Sequence, residues 1–209
     1  MRVTAVEELS KSRSKVYLDG EFAFVLYRGE LRLYHVQEGA ELAAEDYSEI
    51  MERLLPKRAK LRAMNLLKSR EYTESRLRIK LKEGLYPEKA IAEALRYVAD
   101  FHYIDDLRYA VSYITAHECT RSRRRIEQDL SGKGIGRETM ERAWAKWEAD
   151  GGCQDEGAMI EKLLEKRRYD PENADAKEQQ HTYSFLLRKG FSAEAVRRAM
   201  RARCLSDSE

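Results

Sequence analysis

Scarcity narrows the reading of this 209-residue chain before any motif does. Its three prolines, at 56, 87 and 171, are too few to interrupt helices often. Each sits where a helix should start or a linker should lie: Pro56 is expected to mark a domain boundary, Pro87 to open a helix after a stop at Gly84, and Pro171 falls in the connector "RRYDPENADA". The three cysteines, Cys119, Cys153 and Cys204, form no CxxC pair, which argues against a disulfide framework or a zinc site and for a reduced setting. No apolar run approaches the roughly 18 residues needed to cross a bilayer. The opening "MRVTAVEELSKSRSK" meets charge too early for a secretory signal. The expectation is a cytoplasmic monomer that makes no membrane contact.

Catalytic constellations are equally scarce. His35, His102, His117 and His181 show no HExxH or paired-ligand spacing, and no serine lies in GxSxG. "GKGIGRET", residues 132–139, lacks the GxxxxGK[ST] spacing and follows no apolar strand, so it reads as a turn between helices. The adjacent carboxylates Asp105 and Asp106 in "YIDDLRYA" suit a helix start, one capping free amides and the other complementing the dipole. The sequence therefore predicts no enzyme, no metal and no cofactor.

What is present is charge, unevenly placed. Residues 1–55 carry seven Lys and Arg against eleven Asp and Glu, a net −4; residues 56–146 carry 21 against 13, a net +8; residues 147–209 carry 11 against 13, a net −2. An anionic partner is expected at the middle.

Near the N-terminus, "KVYLDGEFAFV" sets Asp19-Gly20 between two β-rich runs, the signature of a two-residue hairpin in which Tyr17 faces Phe22. Simple alternation would then place Tyr17, Phe22 and Phe24 on one face and Val16, Leu18, Ala23 and Val25 on the other. "VTAVEEL" reads as a third strand, and "YRGELRLYHV" and "AAEDYSEIMERLL" as a short and a longer helix.

From Lys57 onward the pattern is helical and repeats. Leu81, Leu130 and Leu186 are each followed five residues later by an apolar turn residue, Tyr86, Ile135 and Phe191, then by Ile91, Met140 and Val196, then by Leu95, Trp144 and Met200. Four residues upstream stand Leu77, Ile126 and the polar Thr182. A glycine, Gly84, Gly134 or Gly190, ends the leading helix in each copy, and a further amphipathic helix precedes it, at 59–69, 106–118 and 156–168. The predicted fold is mainly α: a small β-hairpin and helix module at 1–55, then three tandem three-helix repeats at 56–104, 105–150 and 151–209, forming an elongated chain. The pair Gly151 and Gly152 in "EADGGCQDEG" is expected to be the loosest junction.

Basic residues are the remaining constellation. "TRSRRRIEQDL" sets Arg121, Arg123, Arg124 and Arg125 at a helix start, where they oppose the dipole unless an anion is bound there. "SRLRIKLK" contributes Arg76 and Lys80 one turn apart, and "KRAKLR" contributes Lys57 and Arg58. These eight residues are the candidates for weak, sequence-tolerant contact with single- and double-stranded DNA.

Taken in order, the three repeats with "YIDDLRYA", "RRRIEQDLSGKGI" and "LLRKGFS" resemble the RecX family, bacterial regulators of the recombinase RecA, over about residues 57–203. "KSRSKVYLDGEFAF" is similar to an extension carried by some members. "LKEGLYP" departs from the pattern by bringing its glycine one residue early. The resemblance implies a non-enzymatic protein that binds the RecA–DNA filament. It further implies inhibition of ATP hydrolysis, strand exchange and co-protease activity in homologous recombination, DNA repair and the SOS response. The alternative is a helix-turn-helix type protein acting on DNA alone.

Overall fold

The computed structural model describes residues 1–171 and 173–206, with side chains described as far as Arg201. The Cys204 side chain and residues 207–209 of the expected third repeat lie outside that range. Two compact units result, the first ending at Asp105 and the second beginning at Asp106.

The first unit opens with an antiparallel sheet in the order β1 (Val3–Ser10), β2 (Arg13–Leu18), β3 (Glu21–Tyr27). Asp19 and Gly20 both adopt positive φ, 50° and 91°, and Tyr17 pairs with Phe22 as the hairpin reading requires. Beyond that pair the register shifts: Val16 faces Phe24, so Ala23 has no partner and forms a bulge. The bulge moves Phe24 onto the buried face with Val16 and Leu26, while Phe22 stays exposed. The expected stripe of Tyr17, Phe22 and Phe24 is thereby split.

After the short α1 (Arg28–Leu33), α2 (Ala44–Glu49) runs through a π-helical turn (Ile50–Leu54) directly into α3 (Leu55–Leu67). Pro56 therefore lies inside a continuing helix and not at a break. A proline in a helix removes one backbone bond and crowds the preceding turn; the widened π turn immediately before it relieves both demands. With α4 (Glu74–Glu83) and α5 (Glu88–Asp100), α3 forms the first repeat. Its Ala59, Leu77, Leu81, Ile91 and Leu95 share one core with Val16, Phe24 and Leu26 of the sheet. The boundary expected at 55/56 thus crosses an unbroken helix and an unbroken core.

In the second unit, α6 (Asp106–His117), α7 (Arg123–Ser131) and α8 (Arg137–Ala149) form the second repeat, and α9 (Glu156–Lys166), α10 (Ala176–Arg188) and α11 (Ala193–Ser206) the third. Asp105 directly precedes α6 and Asp106 is its first residue, as expected for a helix start. Each of these repeats has its own core, one around Ile114, Ile126, Leu130 and Trp144, the other around Ile160, Leu164, Leu186, Phe191 and Val196. Thr182, the polar member of the repeat pattern, is nevertheless buried.

The three repeats close their middle helix in the same way. The amides of Tyr86, Ile135 and Phe191 reach back five residues to the carbonyls of Leu81, Leu130 and Leu186 at 3.4, 3.1 and 3.4 Å. One residue earlier, the amides of Leu85, Gly134 and Gly190 reach back three residues at 2.8, 2.8 and 2.9 Å. This geometry places a left-handed residue after the helix. Gly134 and Gly190 supply it with φ of 86° and 91°, but in the first repeat Leu85 does, at 60°, because Gly84 arrives one position too soon. The backbone turn is kept and a leucine is held where glycine is favoured.

Candidate nucleic-acid interface

The second repeat carries the candidate site, and its geometry begins with Ser122. This hydroxyl is fully buried, accepts from the Arg125 amide at 3.3 Å as the N-cap of α7, and donates to the Lys189 carbonyl at 3.2 Å. One side chain thus starts α7 and holds the end of α10 against it. Gly190 completes the contact: a Cβ there would lie 2.4 Å from Ser122 Oγ and 2.9 Å from Arg125 Cβ. Only glycine permits both the left-handed turn and the close approach.

The same joint is tied on its other side. Gln154 donates to the carbonyls of Glu118 and Arg121, both at 2.7 Å, and Gly152 packs so closely on the Trp147 ring that a Cβ would meet it at 2.2 Å. The Gly151 and Gly152 stretch, expected to be loose, is a fitted turn. Glu156, in the first turn of α9, receives a hydrogen bond from the Arg123 amide, while burial pushes its carboxyl above the ordinary range. Two backbone donors at the start of α7 are therefore satisfied within the protein, by Ser122 and Glu156. An anion reaching this helix start would find those two amides already engaged and would depend chiefly on side chains.

Those side chains divide into distinct environments. Arg121 Nη1 lies 2.6 Å from Asp129 Oδ2 and 2.6 Å from the Tyr113 hydroxyl, and Arg125 Nη2 lies 3.2 Å from Asp129 Oδ1. Both guanidinium groups are oriented by one carboxylate whose side chain is 17% exposed. Arg123 is held by Glu127 at 3.1 Å and Glu148 at 3.2 Å and lies 4.5 Å above the Trp144 ring. Arg124 is exposed and has no ion pair among the described residues. His117 stands edge-on to Tyr113 at 4.4 Å; its pKa is lowered by burial, then by Arg121 and Lys133, with Asp129 opposing.

Two hollows flank α7. One, of about 670 Å³, lies between α7 and α8 and includes Arg123, Arg124 and Arg137, but Glu127 and Glu141 share its wall. The other, of about 500 Å³, lies where α7 meets α10, and its wall consists of Arg121, Arg125, Phe185, Arg188 and Lys189. Sequence reasoning did not single out Phe185, Arg188 and Lys189 as candidates, although the last two stand in the motif "LLRKGFS".

The candidates from the first repeat fare differently. Arg58 is a structural bridge: its side chain, 14% exposed, donates to Glu30 at 3.0 Å and to the Val25 carbonyl at 3.1 Å and covers the Tyr27 ring at 4.2 Å. It joins α3 to β3 and α1 and is withdrawn from the ligand-contacting set. Lys80 is paired with Glu83 at 2.7 Å, and Arg76 and Lys57 are exposed on α4 and α3. Cys119 and Cys153 are free and exposed. Among the described residues no group of His, Cys, Asp and Glu is arranged to hold a metal ion, and no helix is long and apolar enough to cross a membrane.

Tandem three-helix domains behind a small sheet define a protein built from modular repeats. The family model described as "RecX, third three-helix domain" matches residues 154–200, which span α9, α10 and the first part of α11. Over nearly its whole length the chain is similar to proteins of the RecX family. It is 28% identical over 202 residues to "Regulatory protein RecX" of Caldanaerobacter subterraneus subsp. tengcongensis, covering 96% of this chain and 98% of that protein. It is 26% identical over 205 residues to the protein of the same name from Listeria innocua, covering 95% and 74%. Among solved structures, "Crystal structure of regulatory protein RecX" aligns over 95% of this chain and 98% of that one, with a TM-score of 0.60 and 27% identity. "Crystal structure of RecX from Lactobacillus salivarius" aligns over 72% and 97%, with a TM-score of 0.54 and 25% identity.

Proposed function

We propose that the chain is a non-enzymatic regulator that binds the RecA–DNA filament and inhibits its ATP hydrolysis, and with it strand exchange and co-protease activity. The observation that carries this reading is the likeness, over nearly the whole chain, to proteins named for a regulatory role and to a crystal structure of one of them. The cationic joint of the second and third repeats supports it, because a filament on DNA presents phosphate beside protein. Three linked modules also gain an effective-concentration advantage on a partner that repeats along its axis.

The test is a titration of the full chain into recombinase filaments preformed on single-stranded DNA, with ATP hydrolysis followed. Inhibition is expected at concentrations too low to coat the DNA. If inhibition appears only as free DNA becomes saturated, competition for DNA explains it and the helix-turn-helix alternative replaces this reading. An unchanged hydrolysis rate at all concentrations removes the inhibitory role.

A further inference from the structure

We propose that the hollow between the second and third repeats is a single-stranded nucleic-acid subsite, in which Arg121, Arg125, Arg188 and Lys189 hold a backbone phosphate and Phe185 stacks an unpaired base. This deepens the proposed function and rests on it for the partner, but it is a property of this chain on DNA alone. Four observations converge on it.

The first is the wall itself. Four of its five residues are cations and none is a carboxylate, unlike the hollow between α7 and α8, where Glu127 and Glu141 face the same space. The nearby carboxylate of Asp129 is engaged by Arg121 and Arg125, one oxygen each. That pairing fixes the two guanidinium planes and leaves further N–H donors on each, since a guanidinium carries five. Arg188 has no ion pair among the described residues, and the Lys189 ammonium is directed over the Phe185 ring at 5.6 Å. The local balance is positive by three charges, which an inserted phosphate would offset.

The second is preorganisation. The carbonyl of Lys189 is bound by the buried Ser122 hydroxyl, and Gly190 seats the end of α10 on α7. Cations from two repeats are thus brought together on rigid helix ends, so little ordering remains to oppose binding. The third is the aromatic residue. Phe185 is only half-buried, and the Arg167 guanidinium lies 4.6 Å from its centroid. Aromatic rings and guanidinium planes set among cations are the means by which proteins track a single strand, where bases are free to stack. The fourth is shape: a hollow of about 500 Å³ admits a nucleotide-sized group, whereas duplex bases are already stacked and present only phosphates.

The experiment uses the full chain and fluorescence anisotropy with a labelled oligothymidylate, a duplex of equal length, and an abasic single strand. Phe185→Leu retains apolar bulk and should weaken oligothymidylate binding by about 5- to 150-fold, the range for loss of one stacked base, with duplex binding unchanged. Arg188→Ala combined with Lys189→Ala should weaken both and lower the single-strand salt slope by about 0.7, the loss of one phosphate contact. Thermal melts establish that each variant is folded, and Arg188→Lys should restore the slope where Arg188→Ala reduces it.

Equal loss for duplex and single strand in Phe185→Leu, or an abasic strand binding as tightly as oligothymidylate, overturns the base-stacking half. Displacement of the oligonucleotide by inorganic phosphate alone at equal charge assigns the hollow to free phosphate. Equal displacement by a poly-glutamate peptide assigns it to an acidic protein segment, and either result overturns the nucleic-acid assignment. Recombinase ATPase is measured in parallel. If the wild-type chain inhibits filaments while these variants bind DNA normally, only the subsite fails; if the wild-type chain does not inhibit, the regulatory reading fails while the subsite stands on its DNA data.

Discussion

Cations are placed to opposite effect in the first repeat and at the joint of the second and third. In the first, Arg58, Lys60, Arg78, Lys80 and Lys82 each meet a carboxylate, at Glu30, Glu93, Glu74 and Glu88, Glu83, and Glu88. At the joint, Arg121 and Arg125 share the single Asp129, and Arg188 has no ion pair among the described residues. The net +8 of residues 56–146 therefore counts charge without locating it. What makes a surface attractive to phosphate is the charge left over after local pairing, because a cation already paired must exchange one anion for another.

The comparison is most strongly broken at Gly190. Gly190→Ala forces a Cβ into Ser122 and Arg125 at a φ of 91°, and strain and overpacking together should cost about 2–5 kcal/mol. Chemical denaturation should show the second unit weakened, and DNA binding should fall with it as the cations of α7 and α10 separate. Arg58→Ala should cost about 1–3 kcal/mol, since it leaves Glu30 partly buried without its partner. Its salt slope for DNA should not change, which marks it as a structural cation.

Smaller still, Leu85→Gly should stabilise the first repeat by about 1 kcal/mol at most, read as a shift in melting temperature. The left-handed strain is relieved, while a half-buried side chain is lost. The smallest effect is electrostatic. His117 binds its proton less tightly in the folded protein than its ordinary value of 6.5 implies, so the unfolded chain binds more protons in that range. Stability should therefore decline as pH falls through 6.5 and level off below the folded pKa. His117→Gln should flatten that decline, and bound DNA should raise the His117 pKa in a nuclear magnetic resonance titration.

Much of the fold is legible in the sequence because the repeats impose a register. Leu81, Leu130 and Leu186 recur with the same apolar followers, and all three are fully buried. The hairpin turn is legible because Asp19-Gly20 demands positive φ at both positions. The strand beyond the turn is harder to read, since a bulge at Ala23 leaves no mark in an alternating pattern yet exchanges the faces on either side. Pro56 misleads because its cost is absorbed by a π turn that no composition rule announces.

The site is only half legible. The run Arg123 to Arg125 stands out in one dimension, but its partners arrive from elsewhere: Glu148 from α8 onto Arg123, and Glu156 from α9 onto the α7 terminus. Arg58 fails as a candidate through Glu30, which lies 28 residues away in sequence. Arg188 and Lys189 sit in a motif whose glycine drew attention as helix punctuation. Their placement beside α7 depends on Ser122, 67 residues before Lys189, and that contact exists only in the folded chain.

The most direct measurement sets two double variants side by side. Single-strand affinity is followed against salt for the wild-type chain, for Arg188→Ala with Lys189→Ala, and for Arg78→Ala with Lys80→Ala. Each pair removes two cations, so net charge is matched. The joint variant should lower the slope of log K against log salt by about 0.7, while the first-repeat variant leaves it within error of wild type. Equal loss of slope in the two variants would contradict it, because diffuse net charge and not the cations of the joint would then govern DNA contact.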